Sequence, residues 1–253
     1  MAALPAALLW DVDGTLAETE LEGHRLAFNR AFADAGDPWR WEPTPYLALL
    51  RISGGRERLR AFLTQAEGVE PAPQRLEALQ QAKQRHYTAL VAAGELELRP
   101  GVARLMAAAA EAGLSQAIVT TSGRPAVTAL LDRLLPERRA DLQLRICGED
   151  VARKKPDAEA YRLALARLGL PAEAVLAIED SGNGVAAACG AALPVLVTRS
   201  AASALEPDAA FAAAAAQVDH LGDPLQPCQV LQGPACPQGQ VTLSWLEQLL
   251  PDR

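Results

Sequence analysis

Four polar clusters combine residue types suited to handling an anion beside a metal ion. They are Asp11-Val12-Asp13-Gly14-Thr15-Leu16, Thr120-Thr121-Ser122, Lys154-Lys155-Pro156 and Glu179-Asp180-Ser181-Gly182-Asn183-Gly184. Two nearby carboxylates can divide the work of nucleophile and general acid–base. Carboxylates from two clusters, brought to one point without compensation, would repel each other. A hard cation held by oxygen ligands removes that penalty, and Mg²⁺ with a phosphate-bearing substrate is the natural combination. The lysine and the Thr/Ser hydroxyls then supply the charge and hydrogen bonds that a phosphoryl group needs.

Short apolar runs position these clusters. AALLW (6–10), SQAIVT (115–120) and VLAI (175–178) lead straight into three of them, and LQLRIC (142–147) precedes the lysines. These runs, with PVLVT (194–198), read as buried strands. Helical stretches alternate with them after Pro100-Gly101, which predicts an α/β fold with a doubly wound parallel sheet. Such sheets place function at the carboxyl ends of their strands. Between about Glu20 and Glu95 only helical patterns occur. Leu21, Leu26, Ala27, Phe28, Ala31 and Phe32 fall near one stripe, and successive segments end at Gly36, Gly68 and Gly94. The expected organisation is a core from 1–16 and 97–253, with 17–96 inserted as a helical cap. The Ala-rich stretch Ala209–Ala216 is expected to be helical, 223–240 a loop, and 244–250 a terminal helix.

The 253 residues carry 24 basic and 31 acidic side chains, a net charge of −7. That balance argues against a nucleic-acid partner, and aromatics at 4% leave few stacking platforms. No apolar run approaches the roughly 20 residues of a membrane span. The amino-terminal sequence lacks a basic segment before its apolar run, so no signal peptide is expected. Four cysteines form no CxxC pair; reduced thiols, a cytoplasmic location and a monomer are expected. Cys228 and Cys236 share one Pro/Gly-rich loop.

The ordered set Asp11-x-Asp13-Gly14-Thr15-Leu16, Thr120, Lys155-Pro156 and Glu179-Asp180-Ser181-x-x-Gly184 resembles the four motifs of the haloacid dehalogenase-like phosphohydrolases and spans most of the core. The insert is similar to the cap of the beta-phosphoglucomutase-like subfamily. Within it, Ala17-Glu18-Thr19-Glu20, His24-Arg25-x-Ala27-Phe28-Asn29 and Gly54-Gly55-Arg56-Glu57-Arg58 look like the CbbY branch, which includes xylulose-1,5-bisphosphate phosphatases. The chain departs from that branch by one residue inserted before His24 and by Arg56 where a lysine is common.

The resemblance implies a Mg²⁺-dependent sugar-phosphate phosphatase. Asp11 would attack phosphorus and become an aspartyl-phosphate. Asp13, free to hold a proton, would act as acid and then base. Thr120 and Lys155 would hold the phosphoryl group, with Lys154 the alternative lysine. Asp11, the Asp13 carbonyl, Glu179 and Asp180 would bind the metal. Glu18, His24, Gly54, Gly55, Arg56 and Arg58 would meet the sugar or a distal phosphate, and Thr121 and Ser122 the phosphoryl oxygens. A phosphomutase shares every core residue. A silent binding protein would be expected to lack one of Asp11, Asp13, Lys155 or Asp180. Gly182-x-Gly184-x-x-Ala187 also fits a dinucleotide fingerprint, but two carboxylates directly before it would repel a pyrophosphate.

Overall fold

A computed structural model describes residues 4–251; the outermost residues of the expected core segments and of the amino-terminal sequence read for a signal lie outside them. Seven strands form one sheet in the order β3-β2-β1-β4-β5-β6-β7. They are β1 (Ala7–Trp10), β2 (Ser115–Val119), β3 (Leu142–Ile146), β4 (Val175–Glu179), β5 (Val195–Thr198), β6 (Ala216–Val218) and β7 (Val230–Gln232). All pairings are parallel except β6 with β7. Trp10 pairs with Ile118 on one side and with Ile178 on the other, so the residues that follow emerge side by side. The chain winds outward through β2 and β3, then returns to the other flank of β1. This reversal opens a crevice between the carboxyl ends of β1 and β4.

Before β2 come helices α1 (Leu26–Asp34), α2 (Pro43–Leu49), α3 (Gly55–Glu67) and α4 (Pro73–Ala93), then α5 (Val102–Glu111). α6 (Arg124–Leu134), α7 (Glu159–Leu168), α8 (Gly182–Gly190) and the short α9 (Leu243–Leu246) follow. Strand side chains alternate between the two sheet faces. Leu8, Trp10, Ile118, Leu176 and Ile178 pack with α5, α6 and α9. Ala7, Leu9, Ala117, Val119, Val175 and Ala177 pack with α7 and α8. A third core lies within the insert, where Phe28, Phe32, Trp41, Tyr46 and Leu63 cluster. Trp39 and Trp41 serve this packing, as their aromatic contacts show.

α4 joins two cores. Leu76, Leu79 and Ala82 belong to the insert, whereas Tyr87, Leu90 and Val91 pack with Val127, Leu130 and Leu131 of the main core. Its continuous apolar stripe therefore fixes one side of the insert to the sheet domain.

Two expectations are corrected near the carboxyl end. Ala209–Ala216 is not a helix: a 3₁₀ turn, Asp208–Phe211, leads into β6. Alanine propensity is a weak preference, and pairing with β5 overrides it. The stretch 223–240 includes β7, which covers the outer edge of β6. Cys228 and Cys236 are both free thiols. Among the described residues no helix is long and apolar enough to cross a membrane.

Leu90→Ala removes a fully buried side chain from the seam between insert and core. It is expected to cost about 2–5 kcal/mol in urea unfolding, and a loss below about 1 kcal/mol would contradict the packing role of the seam.

Candidate active site

Asp11 follows β1, Glu179 ends β4 and Asp180 follows it. Their carboxylates are buried and offer oxygens within 4.8 Å of one another. Lys155 enters from the loop before α7. Its ammonium lies 2.7 Å from Asp11 Oδ1, 2.6 Å from Glu179 Oε1 and 2.7 Å from the Val119 carbonyl. Tyr161 donates to the same Glu179 oxygen, and Ser200 donates to Asp180 at 2.6 Å. Two glycines make room: a Cβ at Gly14 would overlap the Asp180 carboxylate, and one at Gly184 would overlap that of Glu179. Gly184 therefore serves the acidic cluster, which disposes of the dinucleotide reading.

The electrostatics are those of a site built around a cation. Burial pushes Asp11 up to about 8 against the pull of Lys155, with Glu179 and Asp13 adding to the rise. Burial and the neighbouring Asp11 also raise Asp180 well above the carboxylate range. Burial alone would lower Lys155, but Asp11 and Glu179 outweigh it and push it up. Glu179 Oε2 is buried without a hydrogen-bond partner. Two of the three carboxylates thus share one ammonium, and one Glu179 oxygen is left without a partner. This donor set fits a hard divalent cation held by oxygen.

The Asp13 side chain turns away from this cluster. His24 Nε2 lies 2.9 Å from its Oδ1, while Thr19 and Ser122 donate to its two oxygens. Behind His24, Lys83 Nζ sits 2.8 Å from Nδ1, and Tyr87 stacks on the ring at 4.2 Å. An ammonium donating to Nδ1 leaves the ring proton on Nε2, aimed at Asp13. Burial alone would raise Asp13, but the His24 ring and the bonds from His24, Ser122 and Thr19 hold it well below the usual range. In this arrangement the surroundings of Asp13 favour its carboxylate form.

His24 reaches Asp13 from a π-helical turn, Glu20–Arg25, that runs directly into α1. A π turn closes its hydrogen bonds one residue further along the chain than an α turn does.

A cavity of about 980 Å³ opens between insert and core. Asp11, Asp13, Lys155 and Asp180 lie at its core side, with Thr121 and Ser122 beside them. His24, Gly54, Gly55, Arg56 and Arg58 face it from the insert. Thr120 is buried beneath, its hydroxyl accepting from the Ser122 amide at 3.1 Å. Three expected contacts stand differently. Glu18 does not line the cavity; it pairs with Arg99 at 3.1 Å and accepts from the Ala201 amide. Arg58 is buried against the Tyr46 hydroxyl, the Leu49 carbonyl and Glu20, so its charge is already engaged. Arg56 keeps an exposed guanidinium, paired with Glu77 at 2.7 Å. Lys83 was not anticipated from the sequence. Its signal was a lysine on the apolar stripe of α4, at the spacing Leu79, Lys83, Tyr87.

A sequence model described as haloacid dehalogenase-like hydrolase matches residues 5–191. The chain belongs to this family. It is 43% identical over 226 residues to the plasmid-encoded protein CbbY of Cupriavidus necator, covering 87% of each chain. It is also similar to the crystal structure of CbbY from Rhodobacter sphaeroides in complex with phosphate. That match has a TM-score of 0.79 at 41% identity, over 86% of this chain and 95% of the other. A mutant of that protein in complex with xylulose-(1,5)bisphosphate matches with a TM-score of 0.80 at 40% identity and the same coverage. This hydrolase is accordingly an enzyme of the phosphatase type.

Mg²⁺ is expected to raise the melting temperature of the wild-type enzyme, since a ligand of the folded state adds RT ln(1 + [L]/Kd) to its stability. Asp180→Asn and Gly184→Ala should lose most of that shift. An equal shift in all three proteins would separate the cation from this cluster.

Proposed function

We propose that this hydrolase is a Mg²⁺-dependent sugar-phosphate phosphatase whose preferred substrate is xylulose 1,5-bisphosphate. The observation that carries the reading is the buried Asp11–Glu179–Asp180 cluster with Lys155, opening into a cavity faced on its other side by the helical insert. The likeness to a protein crystallised with xylulose-(1,5)bisphosphate supports the choice of sugar. We take 1–16 and 97–253 as the core domain and 17–96 as its cap.

In this reading Asp11, the Asp13 carbonyl, Glu179 and Asp180 hold Mg²⁺, which supplies charge neutralisation for the nucleophile and the phosphoryl oxygens. Asp11 attacks phosphorus in line and forms an aspartyl-phosphate. Lys155, held by two carboxylates, offers its charge to the transferring group. Thr120 shapes the turn that presents Thr121 and Ser122 to it. Asp13, set as a carboxylate by His24, Thr19 and Ser122, is poised to take the proton of the water that cleaves the intermediate. In the preceding step it carries its own proton to the leaving oxygen, against the pull of those partners. The Lys83–His24 pair keeps one positive charge behind Asp13 when its proton is gone.

The cap supplies selectivity. Arg56 presents an exposed guanidinium to the cavity, paired only with another exposed side chain, and a guanidinium fork suits a distal phosphate. Arg58 and Glu20 shape the wall instead. With a net charge of −7, the local positive charge of the site must be concentrated by the cation, Lys155 and Arg56.

Phosphate release with Mg²⁺ should be strong and selective for xylulose 1,5-bisphosphate in a panel holding ribulose 1,5-bisphosphate, the monophosphates and glucose 1-phosphate. Asp11→Asn should abolish it, and Asp13→Asn should slow it by about 10²–10⁴-fold. Isomerised glucose phosphate without net release would favour a mutase. Arg56→Ala should impair bisphosphates more than monophosphates; equal losses would remove the distal-phosphate role.

A further inference from the structure

The two sides of the cavity touch each other at two places on its mouth. Lys154, one residue before Lys155, places its ammonium 2.7 and 2.8 Å from the two carboxylate oxygens of Glu57 in α3. Elsewhere on the mouth, the Asn183 side-chain amide at the start of α8 donates to the Arg51 carbonyl at 3.2 Å and to the Ser53 hydroxyl at 3.1 Å. The sequence left Lys154 as the second of two candidate lysines. The structure gives it a partner on the opposite side of the cleft.

Gly54 stands at this junction. Its φ is +89°, and a Cβ there would lie 2.7 Å from Lys154 Nζ and would overlap the Glu57 carboxylate. Only glycine combines that backbone conformation with room for the pair. The neighbouring glycine begins α3, so the helix that carries Glu57 starts at the cavity edge.

We propose that Lys154 and Glu57, assisted by Asn183, form the latch that holds the cap shut over the reacting groups. The proposal rests on the reading of 17–96 as a closing cap. Lys154 and Glu57 are positioning residues: neither bonds to the reacting carboxylates, and each acts through the placement of the cap.

The geometry shows why a modest contact suffices. α4 anchors one side of the cap through Tyr87, Leu90 and Val91, so opening must occur at the mouth, where the pair lies. The Lys154 and Glu57 side chains are 22% and 47% exposed. A pair of this kind shifts an equilibrium by about two- to fivefold. That is slight against global unfolding, but it matters for two cap positions of similar free energy. Closure is also tied to the chemistry through the chain itself. Lys155 is held by Asp11, Glu179 and the Val119 carbonyl, so its placement fixes the loop from which Lys154 reaches across.

The test is a double-mutant cycle with Lys154→Met, Glu57→Gln and the double variant. Two readouts are compared: kcat/KM for xylulose 1,5-bisphosphate, and amide hydrogen exchange of segment 51–58, which needs no turnover. Each single variant should lower kcat/KM by about two- to fivefold and speed exchange of the segment, and the double variant should lose no more than the worse single. At about 0.5 M salt the wild-type advantage should shrink, because a part-exposed pair is screened. Losses that multiply in the double variant, or unchanged exchange in either single variant, would overturn the latch. Wild-type inactivity on the bisphosphate would instead reject the substrate, and the exchange cycle would still decide the latch.

Discussion

Three carboxylates, Asp11, Glu179 and Asp180, are buried within 4.8 Å of one another, and the Lys155 ammonium is bonded to two of them. Removing such groups from water is costly, and their mutual repulsion adds to the cost. Lys155 offsets part of it, and a divalent cation would offset more. Much of the surrounding structure can be traced to this constraint. Tyr161 and Ser200 satisfy oxygens that water would otherwise hydrate. Gly14 and Gly184 have no side chain because a carboxylate occupies that space.

The sheet brings these groups together. β1 lies between β2 and β4, so residues more than 100 positions apart emerge from neighbouring strand ends. Arg99 then ties the returning linker of the insert to the core. Its buried guanidinium donates to the carbonyls of Gly14, Thr198 and Arg199 while pairing with Glu18 of the outgoing linker. Both crossings between insert and core are thereby held beside the loop that contains Gly14 and near the acidic cluster. This explains why Glu18 serves the hinge and does not face the cavity.

The cap reaches the chemistry through a line of contacts from Lys83 to His24 to Asp13. The charge state of Asp13 consequently depends on a domain that contributes nothing to the acidic cluster itself. The same cap meets the core at its mouth through Lys154 and Glu57. On the proposed reading of 17–96 as a closing cap, outward rotation would separate Asp13 from His24 as well as admit water.

Much of this was legible in the sequence because it is local. Apolar runs ending in Asp11, Thr120 and Glu179 announce strands and their functional ends, and the helical period between Glu20 and Glu95 announces the insert. The order and spacing of the four clusters carried the resemblance to the family, which the match over residues 5–191 bears out. Tertiary structure decided what depends on partners distant in the chain. Ala209–Ala216 does not form an α-helix: a 3₁₀ helix ends at Phe211, and Ala216 is drawn into β6 by pairing with Leu196 of β5. Asp13 is bonded by Thr19 and His24 from one stretch of chain and by Ser122 from another more than 100 residues away. Lys154 and Lys155 are chemically identical neighbours, yet one enters the acidic cluster and the other crosses to Glu57. Residue type sets what a side chain can do, but burial and partners set its charge and its task. Those arise only when the sheet and the cap have closed around it.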